Sequence, residues 1–245
     1  MSDFDFAPRL NEDNPDPRVA CILALDTSYS MFDDGSRRFE LAARPIDELN
    51  RGLRKFAEDA NGDDLTRKQA EVSVIKFGPV AEVVVPFCEV REFTPPTLVA
   101  EGGTPLGAAL QIAMSELEQR KQQYRAGGIE YFRPWLIVMS DGTPTDTGTF
   151  ETAVHQLNDL ERRKAVAVFS IAIGKNADVG TLSRLSVDRP AVQLNDVKSF
   201  GDFFVWLSRS LASVSQSDTH AETDGQHVAQ GTQVTLPPID GWGRV

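Results

Sequence analysis

The stretch Val19-Ala20-Cys21-Ile22-Leu23-Ala24-Leu25-Asp26-Thr27-Ser28-Tyr29-Ser30 decides how the rest of the chain reads. Residues 19–25 are all apolar. A run that short, ending at a polar cluster, reads as a strand buried on both faces. The strand stops at a carboxylate, and Asp26, Ser28 and Ser30 then alternate. In an extended loop alternate residues point the same way, so one carboxylate and two hydroxyls share a side.

Outward from this strand the chain alternates regularly. Pro45 opens a helix with Ile46, Leu49, Leu53 and Phe56 near the helical period. Glu71–Phe77 and Val80–Phe87 are β-rich and flank Gly78-Pro79, which predicts a hairpin at one edge. Pro105 starts a second helix, with Leu106, Ala109, Leu110, Ala113 and Leu117 on one face. Trp135–Met139 and Ala165–Ile173 are apolar strands, and between them Thr149 is expected to cap a helix running to near Arg163. A shorter helix near Val179–Leu185, a strand near Ala191–Leu194 and a final helix near Phe200–Val214 complete the series. Apolar strands separated by amphipathic helices predict an α/β, doubly wound, Rossmann-like domain. Its central sheet is mainly parallel, with one antiparallel edge strand and helices on both faces.

The domain is expected to span residues 18–214. Residues 1–17 are acidic and proline-rich and read as a flexible arm. Residues 215–245 read as a polar linker followed by a C-terminal segment, where Val234, Leu236, Ile239 and Trp242 surround Pro237-Pro238. The formal net charge of -11 disfavours nucleic acid as a partner. Cys21 and Cys88 form no disulfide framework or CxxC site, and Cys21 reads as a core residue. No apolar stretch is long enough for a membrane span, and the chain opens without a signal-peptide pattern. These features set an expectation of a cytoplasmic protein.

Two further segments belong with the first. Gly102-Gly103-Thr104-Pro105-Leu106-Gly107 directly precedes a helix, and Ser140-Asp141-Gly142-Thr143-Pro144-Thr145-Asp146 directly follows the Trp135 strand. In a doubly wound sheet strands 1 and 4 are neighbours at the topological switch point, and ligands bind beyond their carboxyl ends. Strand counting therefore sets Asp26 and Asp141 side by side on one rim. With Ser28, Ser30 and Thr104 they offer only hard oxygen donors, which suits Mg2+, or Mn2+ or Ca2+, rather than zinc. Two carboxylates merely balance a divalent ion, which leaves it able to accept one anionic ligand from outside.

Asp-x-Ser-x-Ser with a distant Thr and a distant Asp resembles the metal-ion-dependent adhesion site of von Willebrand factor A domains. LALDTSYSM, PIDELNRGL, VSVIKFG, GGTPLGAAL, RPWLIVMSDGTPTD and VFSIAIG extend the likeness over roughly residues 18–214. The chain is most similar to the bacterial, cytoplasmic TerY-like branch, linked to tellurite resistance and stress response. The resemblance implies a binding module, not an enzyme. It implies Asp26, Ser28, Ser30, Thr104 and Asp141 as metal-site residues and a protein partner that offers Asp or Glu to the metal. A kinase or phosphatase of the same system is among the partners it implies. Tyr29 stands where the family often has Gly, and Phe32–Arg44 is a longer connection than in close relatives. Tyr29, Asp33, Asp34, Gly103 and Thr143 are therefore expected on the partner-binding rim.

The competing reading is a Mg-dependent phosphohydrolase with Asp26 as nucleophile. A dehalogenase-like motif wants a second Asp two residues on, where this chain has Ser28, and no well-placed Lys is evident to hold a phosphate. Gly102–Gly107 lacks the Lys of a P-loop. Taken singly, Asp26 suits a strand end, Thr104 a helix cap and Asp141-Gly142 a turn.

Overall fold

The computed structural model describes residues 14, 16–32, 44–194 and 197–216. Strands β1 (Val19–Asp26), β2 (Ala70–Phe77), β3 (Ala81–Glu89), β4 (Trp135–Ser140), β5 (Ala167–Ile173) and β6 (Val192–Leu194) form one sheet in the order β3-β2-β1-β4-β5-β6. Only the β2–β3 hairpin is antiparallel. The order reverses direction between β1 and β4, which makes that pair the switch point. Helices α1 (Pro45–Asn61), α2 (Asp64–Gln69), α3 (Leu106–Ala126), α4 (Thr147–Arg162), α5 (Val179–Ser183) and α6 (Val197–Gln216) fill the connections.

Every residue of β1 is buried, which explains why its sequence shows no alternation. Val19, Cys21, Leu23 and Leu25 enter one core with α1 and α6. Ala20, Ile22 and Ala24 enter the other with α3, α4 and Leu182 of α5. The predicted face of α1 supplies Leu49, Leu53 and Phe56 to the first core, each fully buried. Burying one such side chain is worth roughly 1.5–3 kcal/mol.

Three details differ from expectation. Helix α2 was not anticipated, because Asp64–Gln69 has no apolar period; the Asp63 carboxylate holds it by accepting from Thr66 N and Thr66 Oγ1, each at 2.7 Å. Helix α4 begins at Thr147 rather than at a Thr149 cap, since the Asp146 carbonyl already accepts from Phe150 N at 2.9 Å. Asn14 Nδ2 donates to the Lys68 carbonyl at 2.9 Å, so part of the expected arm is tied to α2. Residues 1–13, the stretch 33–43 with Asp33 and Asp34, and the segment from 217 to Val245 lie outside the described residues.

At the pole where the parallel strands begin, Glu71 is fully buried. It accepts from Arg120 Nε at 2.6 Å and from the Tyr124 hydroxyl, with Arg18 Nε 3.5 Å away. A buried carboxylate is tolerated only when paired and hydrogen-bonded in this way. Among the described residues no helix is long and apolar enough to cross a membrane.

Candidate metal centre

The opposite pole, where β1 and β4 end, gathers the polar segments. Leu25 pairs with Met139 across the two parallel strands, so Asp26 and Ser140 come next on adjoining strands. Ser140 Oγ donates to Asp26 Oδ2 at 2.5 Å and accepts from Gly142 N at 3.1 Å. Asp26 Oδ1 accepts from Ser28 N at 2.7 Å. Asp26 has no solvent exposure. Burial pushes its carboxyl up to about 6, opposed by the Ser140 and Ser28 hydrogen bonds and reinforced by the nearby charge of Asp141. Strand pairing thus brings the two carboxylates within electrostatic reach of one another.

Ser28 is buried and Ser30 half-buried in a short 3-10 turn, Tyr29–Met31. Their Oγ atoms are 2.9 Å apart. Neighbouring oxygens in an octahedral shell with bonds of ~2.1 Å stand about 3 Å apart. The two hydroxyls hydrogen-bond to one another, and that same spacing is compatible with two adjacent ligands of a hard cation. Among the described residues no group of three or more His, Cys, Asp or Glu suits a metal, so any site here depends on its hydroxyls.

Thr104 is buried just before α3. It is not the cap of that helix: Pro105 holds the cap position, and the carboxylate of Asp146 accepts from Gly107 N at 3.0 Å and Ala108 N at 2.8 Å. Backbone bonds lace the three loops together. Tyr29 N donates to the Gly102 carbonyl at 3.1 Å, and Glu101 N to the Thr27 carbonyl at 2.7 Å. Thr145 N donates to the Thr104 carbonyl at 2.9 Å, while Thr145 Oγ1 accepts from Thr104 N at 3.1 Å. The carbonyl of Asp141 accepts from Asp178 N at 2.6 Å, which seats its loop on the start of α5. Tyr29, Gly103 and Thr143 are exposed beside these loops. The turn reading of Asp141 also holds, since its carboxylate accepts from Thr143 N at 3.2 Å.

Ser140, Thr145 and Asp146 position the site and were not among the predicted site residues. Ser140 had a readable signal: it is the hydroxyl that ends an apolar strand, immediately before Asp141. Asp146 and Thr145 lie in the same segment and were expected to shape the site loop without touching the metal, but the bonds of Asp146 to a helix 38 and 39 residues away could not be read from it.

A doubly wound sheet with acidic and hydroxyl side chains collected at its switch point defines the class. The chain belongs to the von Willebrand factor type A domain family, whose model matches residues 21–204. No curated protein matches it significantly. Among solved structures the fold is similar to that of the pilus adhesin SpaC from Lactobacillus rhamnosus GG. There the TM-score is 0.60 at 13% identity over 80% of this chain and 31% of that one. It is also similar to the conserved hypothetical protein BatB from Bacteroides thetaiotaomicron, with a TM-score of 0.52, 15% identity, and 81% and 100% of the two chains covered. Proximal thread matrix protein 1 from the mussel byssus, with a zinc-occupied MIDAS motif, gives 0.51 and 16%, covering 80% of this chain and 48% of that one. The chain thus spans about half of the solved mussel chain and all of the solved BatB chain. At these identities the likeness is one of fold.

Proposed function

We propose that this chain is a metal-ion-dependent protein-binding module. The observation that carries the reading is the set of hard oxygens from three interlocked loops at the β1–β4 switch point, above all Ser28 Oγ and Ser30 Oγ at ligand spacing. Asp26, Ser28, Ser30, Thr104 and Asp141 would hold the ion. When bound, a divalent cation there supplies an electrophilic centre able to take one carboxylate oxygen from outside. The chain's own part is to hold Asp26 by Ser140 and Ser28 N, to keep water from its buried side, and to present Tyr29, Gly103 and Thr143 to a partner. The partner is a protein offering Asp or Glu, not nucleic acid and not a membrane.

Mg2+ is the first choice for such donors, with Mn2+ and Ca2+ next. The zinc-occupied motif of the mussel protein adds zinc to the ions worth testing. The TerY-like likeness makes a cytoplasmic tellurite-resistance or stress system the setting, with a kinase or phosphatase as partner. The phosphohydrolase reading is weaker. Asp26 is buried with both oxygens hydrogen-bonded, by Ser28 N and by Ser140 Oγ.

Capture of a partner from lysate tests the reading. The wild-type chain is expected to retain a protein in Mg2+ and release it in EDTA, and Ser28→Ala to retain none. Capture indifferent to EDTA, or phosphatase turnover that disappears in Asp26→Ala, would overturn it.

A further inference from the structure

The described residues include five exposed large hydrophobic side chains. Leu65 is on α2 and Val187 follows α5. The other three, Tyr29 at 64%, Val80 at 56% and Val99 at 66%, come from separate segments that meet beside the metal centre. Tyr29 N bonds to the Gly102 carbonyl. Gly102 has φ +74°, and a Cβ on it would lie 2.6 Å from Pro79 N and 2.7 Å from Pro79 Cα, so the glycine rests directly on the residue before Val80. A Cβ on Gly78 would lie 2.7 Å from the carbonyl oxygen of Glu101, two residues after Val99. Segments 27–29, 78–80 and 99–102 therefore adjoin, and Tyr29, Val80 and Val99 are exposed along them together with the charged Glu101.

Isolated exposed apolar residues are ordinary, but a contiguous group beside a binding site marks an interaction surface. Tyr29 is braced from behind: its ring is 5.9 Å from that of Phe32, which is in turn covered by Arg44 at 4.1 Å. Charge narrows the partner. Residues 27–32, 78–82, 99–107 and 141–146 contain no Lys, Arg or His, whereas Glu82, Glu101, Asp141 and Asp146 are acidic. These segments bring no cationic side chain of their own, the Arg44 guanidinium on Phe32 being brought from outside them, and beside the ion they offer a partner the exposed Tyr29, Val80 and Val99.

We propose that the partner presents an acidic residue with an aliphatic or aromatic side chain close to it in the same segment. The carboxylate goes to the ion and the apolar group lies on Tyr29, Val80 and Val99. This rests on the metal-dependent reading above and adds the partner's second chemical requirement.

The test uses the full chain and a displayed library of short peptides, each with one fixed central Glu and random flanks. Selection is run in Mg2+ and in EDTA, on wild type and on the double variant Val80→Ser/Val99→Ser. Both valines are exposed, and an unchanged thermal melt checks that the variant folds. The Mg2+ pool on wild type is expected to be enriched in Leu, Ile, Phe or Tyr near the Glu. The variant is expected to lose that enrichment while still requiring Glu and Mg2+. A synthetic peptide from the enriched pool should bind the variant about tenfold more weakly, the loss of roughly one buried apolar side chain. A Glu- and Mg2+-dependent pool without apolar bias, or a bias the variant retains, overturns this proposal alone. A wild-type pool indifferent to Mg2+ overturns the metal-dependent reading as well.

Discussion

A carboxylate with no solvent exposure is costly unless donors meet both of its oxygens, and Asp26 meets that condition through Ser28 N on one side and Ser140 Oγ on the other. Ser140 accepts in turn from Gly142 N, so one hydroxyl joins the end of β1 to the start of the Asp141 loop. Ser140→Ala removes a donor while leaving the oxygen buried. Its expected effects are a loss of about 1–3 kcal/mol in denaturant unfolding and roughly 10–100-fold weaker Mg2+ binding by calorimetric titration. Unchanged Mg2+ affinity would mean that Ser140 serves only the fold. The five proposed ligands were legible because they fall into three short motifs at element ends. The residues that hold them were less so, since a hydroxyl closing an apolar strand looks like the strand's last residue until its neighbour across the sheet is known.

Helices α3 and α4 meet at their N-terminal ends, beside Thr104. A Cβ on Gly107 would lie 2.3 Å from Phe150 N and 2.6 Å from Phe150 Cα. Those are backbone atoms and cannot rotate away. Gly107→Ala is therefore expected to force the two helices apart and to cost on the order of 3 kcal/mol, read as a lower melting temperature. Because the same contact fixes Thr104 and Asp146, Mg2+ affinity should fall with it. A normal melt would show that the helices part at little cost. Most elements could be read directly: β1, β4 and β5 as solid apolar runs, and α1 as a periodic face. Helix α2 could not, because the Asp63 side chain starts it and nothing apolar repeats along it. The start of α4 was misplaced for a related reason. Asp146 looks like part of a loop motif, and its side chain serves the N-terminus of α3 rather than that of α4.

Among the described residues two buried polar clusters lie at opposite poles of the sheet. Glu71, Arg18, Arg120 and Tyr124 sit where the parallel strands begin, and the candidate metal centre sits where they end. Glu71→Ala removes the carboxylate paired with the buried Arg120 and Arg18, so it is expected to cost about 3–5 kcal/mol in denaturant unfolding. The Mg2+ affinity of the remaining folded protein should be unchanged, which titration well below the unfolding midpoint would check. A matched loss of Mg2+ affinity would reveal coupling along β1 and β2. The sheet order was legible at this scale, because a hairpin between the first and fourth strands leaves the end of β1 facing the end of β4.

The bonds that lace the three loops run largely from main-chain N–H to main-chain carbonyl: Tyr29 to Gly102, Glu101 to Thr27, Thr145 to Thr104 and Asp178 to Asp141. Every amino acid except proline brings these groups, whatever its side chain. The arrangement of these loops is therefore set separately from their side-chain chemistry. Under the proposed function, exchanging Ser28, Ser30 or Asp141 would cost the ion while these loop bonds stay in place. Metal-dependent and metal-free recognition are then a few substitutions apart on one scaffold.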